Sequence, residues 1–166
     1  MDVIYLTPIF QSNSTHKYDT IDYYTIDPSF GTVDDLKKLV DRAHEMGLRV
    51  ILDGVFNHTS RDFFAFQDIL ENQAESVYKD WYYVDQFPLC LTPGSHNYKC
   101  FGYFAGMPKV NLRCPAAAAY FTDVALYWLR EAGVDGWRLD VADEISHDFW
   151  RSFRKAVKAE FPEALI

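Results

Sequence analysis

The alternation of apolar and polar segments along the chain predicts strands and helices in regular succession. Residues 3–7 form a β-branched and aromatic run typical of a buried strand. Apolar residues then recur at helical spacing between Thr32, a predicted N-cap, and Gly47, just beyond the helix end. The near-continuous apolar run at residues 48–55 predicts a parallel strand covered on both faces. Strand, helix and strand in this order indicate a βαβ unit.

A second helix and a third strand follow only after a long interval. Pro115 suits the first position of a helix that Gly133 ends, and residues 134–141 predict the next strand. The intervening residues 59–114 far exceed the roughly dozen residues of a plain crossover. We therefore predict a parallel α/β fold with a small domain inserted at one βα loop, where long insertions often build a site.

The two ends of the chain fall in predicted core elements. A last helix begins after Ser146, and residues 161–166 have the pattern of the start of another strand. At the other end, residues 3–7 follow almost at once on Met1, with no charged leader and no cleavage site. We therefore expect that the chain is a piece of a longer protein.

Composition and charge exclude several classes of function. Apolar residues make up 49% of the 166 residues, which is enough for a sizeable core and argues against disorder. The net charge of −8 argues against nucleic acid or an anionic membrane as a partner through bulk charge. No apolar run approaches the roughly 20 residues of a membrane-spanning helix. The three cysteines are too few for a disulfide framework, and free thiols or a Cys90–Cys100 bridge remain open.

Polar residues gather at three places that follow predicted strands, where parallel α/β folds carry their functional loops. The first is the loop at residues 8–30, with His16, Tyr18 and Asp19. A tyrosine beside acids and a histidine is typical of sugar recognition, because the ring stacks on a pyranose face while polar groups bind hydroxyls. An ordinary surface loop is the alternative for this segment taken alone.

The second place is residues 53–58, where Asp53 ends a predicted strand and Asn57 and His58 follow on the same rim. Asp53 alone could accept a hydrogen bond from a loop amide, and His58 alone could be structural. Their grouping at a strand end favours a functional role.

The third place is residues 136–144. Because strand side chains alternate, Arg138 and Asp140 share one face and Trp137 takes the other. On a strand of a parallel barrel, Arg138 and Asp140 would then point inward at the mouth. A guanidinium beside a carboxylate favours its ionised form, which a carboxylate nucleophile requires. A buried structural ion pair is the alternative.

Two of these segments together resemble signature regions of the α-amylase family, glycoside hydrolase family 13. They are residues 53–58 (Asp-Gly-Val-Phe-Asn-His) and residues 136–140 (Gly-Trp-Arg-Leu-Asp), in the family's order and separation. Residues 107–111 (Met-Pro-Lys-Val-Asn) resemble a further signature, in the version of the neopullulanase, cyclomaltodextrinase and maltogenic amylase subfamily. Residues 16–20 and 27–31 also fit, so the resemblance covers essentially the whole chain.

The resemblance implies a (β/α)₈ TIM barrel, of which this chain holds about strands 2 to 4 with an inserted domain B. The implied boundaries are residues 1–58 for barrel strands 2 and 3, residues 59–114 for domain B, and residues 115–166 for helix 3, strand 4 and helix 4. The resemblance also implies retaining hydrolysis of α-1,4 and also α-1,6 bonds in α-glucans. Cyclodextrins, pullulan, starch and maltooligosaccharides are the implied substrates.

The resemblance also implies the catalytic groups. Asp140 matches the nucleophile that forms a covalent glucosyl intermediate, and Arg138 matches the arginine that orients and ionises it. A retaining enzyme needs a second carboxyl roughly 5–5.5 Å from the first. In the family this glutamate ends the fifth barrel strand, which would come after Ile166. We therefore expect an enzyme for the longer protein and an inactive fragment for this chain.

Four further residues match substrate-binding positions of the family. His58 matches a histidine that binds sugar hydroxyls, and Asp53 matches the acid at the end of the third strand. Tyr18 resembles the aromatic platform under the sugar. Glu144 lies where the subfamily contacts the acceptor side, although Asp143 precedes it in place of the usual asparagine.

No metal and no other cofactor is predicted. The family's calcium site near domain B usually involves the asparagine equivalent to Asn57, and this subfamily often lacks the ion. The resemblance further implies an α-glucan as partner and a homodimeric parent protein. A cytoplasmic location is the expectation, from the subfamily and the odd number of cysteines.

Two alternatives remain open at this point. One is another specificity of the same family, namely α-glucosidase, oligo-1,6-glucosidase or transglycosylase. The other is a non-catalytic sugar-binding or scaffold homologue. The presence of Asp140, Arg138 and His58 together argues against the second alternative.

Overall fold

A computed structural model describes residues 2–92 and 94–166, so Met1 and Pro93 lie outside the description. Its strands are β1 (Val3–Leu6), β2 (Phe10–Ser12), β3 (Thr20–Ile26), β4 (Arg49–Gly54), β5 (Cys100–Phe101), β6 (Phe104–Pro108) and β7 (Gly136–Leu139). Its helices are α1 (Val33–Glu45), α2 (Phe64–Asn72), α3 (Pro115–Glu131) and α4 (His147–Glu160). Short 3₁₀ turns complete the described elements.

A three-stranded parallel sheet in the order β1-β4-β7 carries the fold. The predicted βαβ unit is confirmed as β1, α1 and β4, and α3 leads into β7 as expected. In the register of the sheet, Asp53 of β4 lies opposite Arg138 of β7. Parallel pairing brings the carboxyl ends of all three strands to one edge, which is where the predicted site residues are concentrated.

The helices form where the sequence predicts them because their caps and apolar stripes are local features. The Thr32 hydroxyl accepts a hydrogen bond from the Asp35 backbone N–H, and the Asp35 carboxylate accepts one from the Thr32 N–H, which is a complete capping box. At α4 the Ser146 hydroxyl caps the helix by accepting from the Phe149 N–H. The apolar stripes of these helices supply much of the buried core.

The region predicted as a loop at residues 8–30 contains an antiparallel hairpin, β2–β3. Thr20, Tyr23 and Ile26 are the buried residues of β3, so burial recurs at every third position. Irregular register between β2 and β3 accounts for this spacing, which hides the strand from a search for period-two alternation. Tyr23 is fully buried, and its carbonyl accepts a hydrogen bond from the Trp128 indole N–H at 2.7 Å.

The expectation that the first strand is buried is wrong in part. Val3 and Tyr5 of β1 are 42% and 41% exposed. β1 pairs only with β4 among the described strands, and one of its faces is left uncovered. The apolar composition of the strand therefore exceeds what the described residues bury.

The third strand ends earlier than its sequence predicts. β7 stops at Leu139, and Val141 adopts a left-handed conformation with φ 48° and ψ 40°. Beside the start of β7, Leu165 pairs in parallel with Gly136, which agrees with the expected start of another strand at residues 161–166. A β-carbon added at Gly136 would lie 2.1 Å from the Leu165 carbonyl oxygen, so only glycine permits this approach.

The region predicted as an insertion, residues 59–114, holds α2 and the β5–β6 hairpin. It packs around aromatic pairs such as Phe66 with Tyr82 and Phe66 with Tyr98. The hairpin returns to the end of β4, where the Val110 N–H donates to the Asn57 carbonyl at 2.9 Å. All three cysteines carry free thiols. Within residues 2–92 and 94–166, no helix combines the length and apolar character needed to cross a bilayer.

Candidate active site

The guanidinium of Arg138 joins two carboxylates at the carboxyl edge of the sheet. Its Nη1 lies 3.1 Å from both Asp53 oxygens and 2.6 Å from Asp140 Oδ1. The register of β4 and β7 places Arg138 opposite Asp53, and Asp140, the first residue after β7, directs its carboxylate to the same guanidinium. The prediction that Arg138 and Asp140 share a face is thereby confirmed, and the contact to Asp53 adds a member that spacing alone does not reveal.

Asp53 is the most buried member of this group, at 1% exposure. Besides Arg138, its Oδ2 accepts hydrogen bonds from the hydroxyls of Tyr5 and, at 3.1 Å, of Tyr18. Burial raises the pKa of the Asp53 carboxyl, and the hydrogen bonds from Tyr5 and Arg138 oppose that rise. Each hydrogen-bond partner of Asp53 is a donor, so these contacts favour its charged form while burial and the neighbouring Asp140 favour the neutral form.

Asp140 stands directly before the strained residue Val141. A β-branched residue is a genuine outlier in the left-handed region, and such strain persists only where the surroundings impose it. The backbone N–H of Asp140 donates to the Gly54 carbonyl at 3.1 Å, which ties the residue to the end of β4. The chain therefore turns sharply just after the carboxylate that Arg138 binds.

A cavity of about 400 Å³ adjoins this carboxylate. Its wall combines polar side chains with an apolar patch, which suits a sugar ring because a pyranose presents both hydroxyls and an apolar face. The polar side includes Tyr18, His58 and Asp140, and the apolar side includes Phe101, Phe104 and Met107. Three of the predicted site residues thus meet at one cavity, and Asp53 and Arg138 are bonded to them.

A larger cavity lies elsewhere in the described chain. It measures about 700 Å³ and lies between α3 and α4, and none of the predicted site residues lines it. It lacks the carboxylate–arginine group, so size alone does not identify the site.

His58 is more enclosed than a sugar-binding residue is expected to be. It is 1% exposed, and its ring stacks on Phe101 with centroids 4.8 Å apart. Burial lowers the pKa of His58 from 6.5 to about 4, so the ring is neutral at pH 7. Its Nε2 lies 3.1 Å from the Tyr18 carbonyl, to which it donates, and Asn57 Nδ2 lies 3.5 Å from Nδ1. In this structure His58 therefore holds the Tyr18 loop, and a sugar hydroxyl would have to share Nε2 with that carbonyl.

The loop that carries Tyr18 is anchored by an ion pair that the sequence analysis does not single out. Lys17 has a left-handed backbone (φ 65°), and its ammonium donates to Asp27 Oδ2 at 2.7 Å and to the Ser12 carbonyl at 3.2 Å. The hydrogen bonds from Lys17 and Ser29 lower the pKa of Asp27. Both ends of the pair lie in the segments 16–20 and 27–31 that resemble the family, which is the signal that could have identified them.

Glu144 lies apart from the 400 Å³ cavity, in the 3₁₀ turn Ala142–Glu144. Its Oε2 is 2.6 Å from Lys109 Nζ and 3.3 Å from Asn57 Nδ2. The hydrogen bond from Lys109 lowers the pKa of Glu144. Lys109 belongs to the segment at residues 107–111 that resembles the subfamily, yet its contact with Glu144 is not foreseen from the sequence.

The residues around Asn57 do not fit a calcium ion. Asn57 Oδ1, the oxygen that the family resemblance connects with calcium, accepts a hydrogen bond from Lys109 Nζ at 2.7 Å. An ammonium at this place repels a second cation, and among the described residues only one carboxylate, that of Glu144, contacts it. Among the described residues, no group of three or more His, Cys, Asp or Glu side chains could hold a metal ion. The absence of a metal stays a prediction.

The fold and the site define a class: an α/β protein in which an arginine joins two carboxylates at the carboxyl edge of a parallel sheet. The chain belongs to the α-amylase family, because the family model described as "Alpha amylase, catalytic domain" matches residues 1–165. The resemblance found in the signature segments is confirmed by this match.

Relatives of this chain are α-glucan hydrolases by name. A cyclomaltodextrinase of Geobacillus thermopakistaniensis is 55% identical over 163 residues, which cover 98% of this chain and 28% of that protein. An intracellular maltogenic amylase of Bacillus subtilis is 47% identical over 163 residues, covering 98% of this chain and 27% of the relative. A solved cyclomaltodextrinase structure superposes with a TM-score of 0.95 at 50% identity, over 99% of this chain and 28% of that one. The chain thus spans little more than a quarter of these relatives.

Proposed function

We propose that the protein containing this chain is a retaining α-glucan hydrolase, with cyclodextrins and maltooligosaccharides as its main substrates. The observation that carries the proposal is the Arg138 guanidinium shared by Asp53 and Asp140 at the edge of the cavity. The names of the relatives support the substrate class. Pullulan and starch are further candidate substrates.

In the proposed reaction Asp140 is the nucleophile. One of its oxygens forms a bond to the anomeric carbon while the bond from that carbon to the glycosidic oxygen breaks. The departing oxygen takes a proton from a general acid, and water later releases the sugar with the same anomeric configuration. Arg138 donates a hydrogen bond to Asp140 Oδ1 and so fixes the position of the carboxylate that would attack the sugar.

The general acid is proposed to come from outside these 166 residues. Two further carboxylates of this region already have partners that suit only acceptors: Asp53 binds Arg138 and two tyrosine hydroxyls, and Glu144 binds Lys109. Neither is placed to give up a proton to a leaving group. The family places this acid at the end of the fifth barrel strand.

The substrate is proposed to lie in the 400 Å³ cavity with its apolar face toward Phe101, Phe104 and Met107. Tyr18 would support the sugar ring, and His58 would donate to a sugar hydroxyl through Nε2. Asp53 would act through Arg138 and Tyr18 rather than by touching the sugar.

We further propose that the described sheet is about strands 2 to 4 of a (β/α)₈ barrel, with residues 59–114 as the inserted domain B between residues 1–58 and 115–166. The exposed side chains of Val3 and Tyr5 support this, because a closed barrel would cover them. A cytoplasmic location and a homodimeric parent protein remain part of the proposal. The name of the Bacillus subtilis relative supports that location.

The test uses the full-length protein that contains this chain, with β-cyclodextrin and maltotriose as substrates. Asp140→Asn should lower kcat by at least about 10⁴-fold while leaving the melting temperature within about 2 °C. Asp148→Asn, at an exposed carboxylate on α4, is the matched control and should retain activity. Proton NMR of the first product should show the α-anomer. Binding of maltotriose without hydrolysis by the unchanged protein would favour the sugar-binding alternative instead.

A further inference from the structure

Lys109 joins three segments that are distant in sequence. Its ammonium lies 2.7 Å from Asn57 Oδ1, in the loop after β4, and 2.6 Å from Glu144 Oε2, in the turn after β7. Lys109 itself follows β6, and its backbone forms a bridge with His58. The lysine side chain is only 18% exposed. A charged hydrogen-bond donor is therefore enclosed between the inserted region and two strand ends.

Glu144 depends on this ammonium for its position. The residue lies in a 3₁₀ turn of only three residues, and its side chain is 40% exposed. Apart from Lys109, its carboxylate has one contact among the described residues, the 3.3 Å contact with Asn57 Nδ2. A hydrogen bond between two charged groups at 2.6 Å is stronger than one from a neutral amide to the same carboxylate at 3.3 Å. Without the lysine, the Glu144 side chain would be free to rotate into solvent.

The Lys109 ammonium also donates a hydrogen bond to the side-chain oxygen of Asn57. Asn57 is 1% exposed, and its Oδ1 would lose its charged partner if the ammonium were absent. A compact ammonium with three donors can bind an amide oxygen and a carboxylate oxygen at once. The Lys109 ammonium thus supplies the positive charge between Asn57 Oδ1 and Glu144 Oε2.

We propose that Lys109 is a positioning residue: its ammonium acts as a built-in cation that holds the Glu144 carboxylate in place to contact the sugar on the acceptor side. The proposal rests on the proposed function, because it assumes that Glu144 contacts substrate. Lys109 itself does not line the 400 Å³ cavity, so its effect passes through Glu144.

A double-mutant cycle in the full-length protein tests the proposal, with maltotriose as the probe. Lys109→Met and Glu144→Gln should each raise KM about tenfold, because each removes the same charge-assisted hydrogen bond. The double variant should be no worse than either single variant, since the lysine acts through the glutamate. Lys109→Arg keeps the charge and should recover part of the loss.

The matched control is Lys99→Met, which removes the same charge from the same hairpin region. Lys99 lies over the ring of Tyr83 at 5.1 Å and has no contact with Glu144, so KM should stay within about twofold. If Lys109 had only a structural role, its loss would lower the melting temperature without changing KM. That result overturns the proposal, and so does a double variant whose KM is raised about a hundredfold.

Failure of the proposed function gives a different result. If the unchanged protein binds maltotriose without cleaving it, the hydrolase proposal is wrong, and the same cycle is scored on the dissociation constant measured by calorimetry. A protein that neither binds nor cleaves maltotriose overturns both proposals.

Discussion

Arg138 and Asp53 are direct partners in the parallel pair β7–β4, although 85 residues separate them in the sequence, and Arg138 Nη1 is 3.1 Å from each Asp53 oxygen. The same nitrogen binds Asp140 at 2.6 Å. The position of Asp140, the proposed nucleophile, therefore depends on the pairing of β4 with β7 as well as on its own place directly after β7. A change in the register of β4 and β7 would separate Asp53 from Arg138.

Arg138→Lys should disable the full-length protein without unfolding it. A lysine ammonium is a point charge on a flexible stem and cannot reproduce the planar guanidinium that serves Asp53 and Asp140 together. We expect kcat/KM on β-cyclodextrin to fall by at least about 10²-fold. Arg130→Lys, at an ion pair with Glu160 on the outer face, is the control and should remain active. If Arg138→Lys were nearly as active as the unchanged protein, the Arg138 guanidinium would not be what positions Asp53 and Asp140 together.

The buried, neutral His58 should make stability depend on pH. Its pKa is lowered from 6.5 to about 4 in the folded protein, so the unfolded chain binds a proton first as pH falls. The stabilisation is complete above about pH 6.5 and is lost as pH falls toward 4, by about 3 kcal/mol in total. Asp140, Lys109, Glu144 and the Tyr18 carbonyl face the ring and set this shift together with burial.

Unfolding followed between pH 7 and pH 4 measures this effect. His58→Gln cannot take up a proton and should show a shallower loss of stability over that range. His147→Gln changes an exposed histidine and should keep the slope of the unchanged protein. Equal slopes for all three proteins would show that His58 does not contribute.

Gly136→Ala should destabilise the fold although it adds only one methyl group. The new β-carbon would lie 2.1 Å from the Leu165 carbonyl oxygen, and glycine φ at this position is 151°, which other residues rarely adopt. Either the contact of residues 161–166 with β7 opens or the strand shifts. We expect a loss of about 2 kcal/mol or more, measured by thermal or denaturant unfolding. Gly106→Ala, where nothing lies within 4 Å of the added atom, should have a much smaller effect.

The isolated chain of residues 1–166 should release no sugar from cyclodextrin, pullulan or starch. It contains the proposed nucleophile, whereas the other carboxylates of its site are engaged by donors. Its exposed sheet edge and uncovered strand face should also leave it poorly stable alone. Reducing-sugar assays and a thermal melt measure the two properties. Sugar release by the purified chain would show that the general acid lies within it.

Local signals in the sequence account for most of the fold. The cap at Thr32, the cap at Ser146 and the helical apolar stripes are each written in a few neighbouring residues, and the structure matches them. The β2–β3 hairpin is missed because its irregular register replaces alternate burial with burial at every third residue. The early end of β7 is missed because valine rarely adopts a left-handed backbone, so its presence at position 141 does not predict the end of a strand.

The site is predicted less completely because its contacts are not local. Spacing alone places Asp53, Arg138 and Asp140 at strand ends, but only the register of the sheet brings Asp53 to Arg138. Likewise, nothing in the neighbourhood of Lys109 indicates that its side chain reaches Glu144, 35 residues away. Both contacts arise from the packing of separate elements, which a pattern along one chain does not encode.

The left-handed backbone of Val141 has opposite effects on the stability of the fold and on the proposed catalysis. Glycine there would remove the conformational strain and so raise the free energy of unfolding by about 1 kcal/mol. It would also loosen the turn that follows Asp140, and a loosely held nucleophile reacts more slowly. Selection for survival at high temperature should therefore enrich Val141→Gly, whereas selection for turnover should retain valine. At position 141, a substitution that raises thermal stability is therefore expected to lower the catalytic rate.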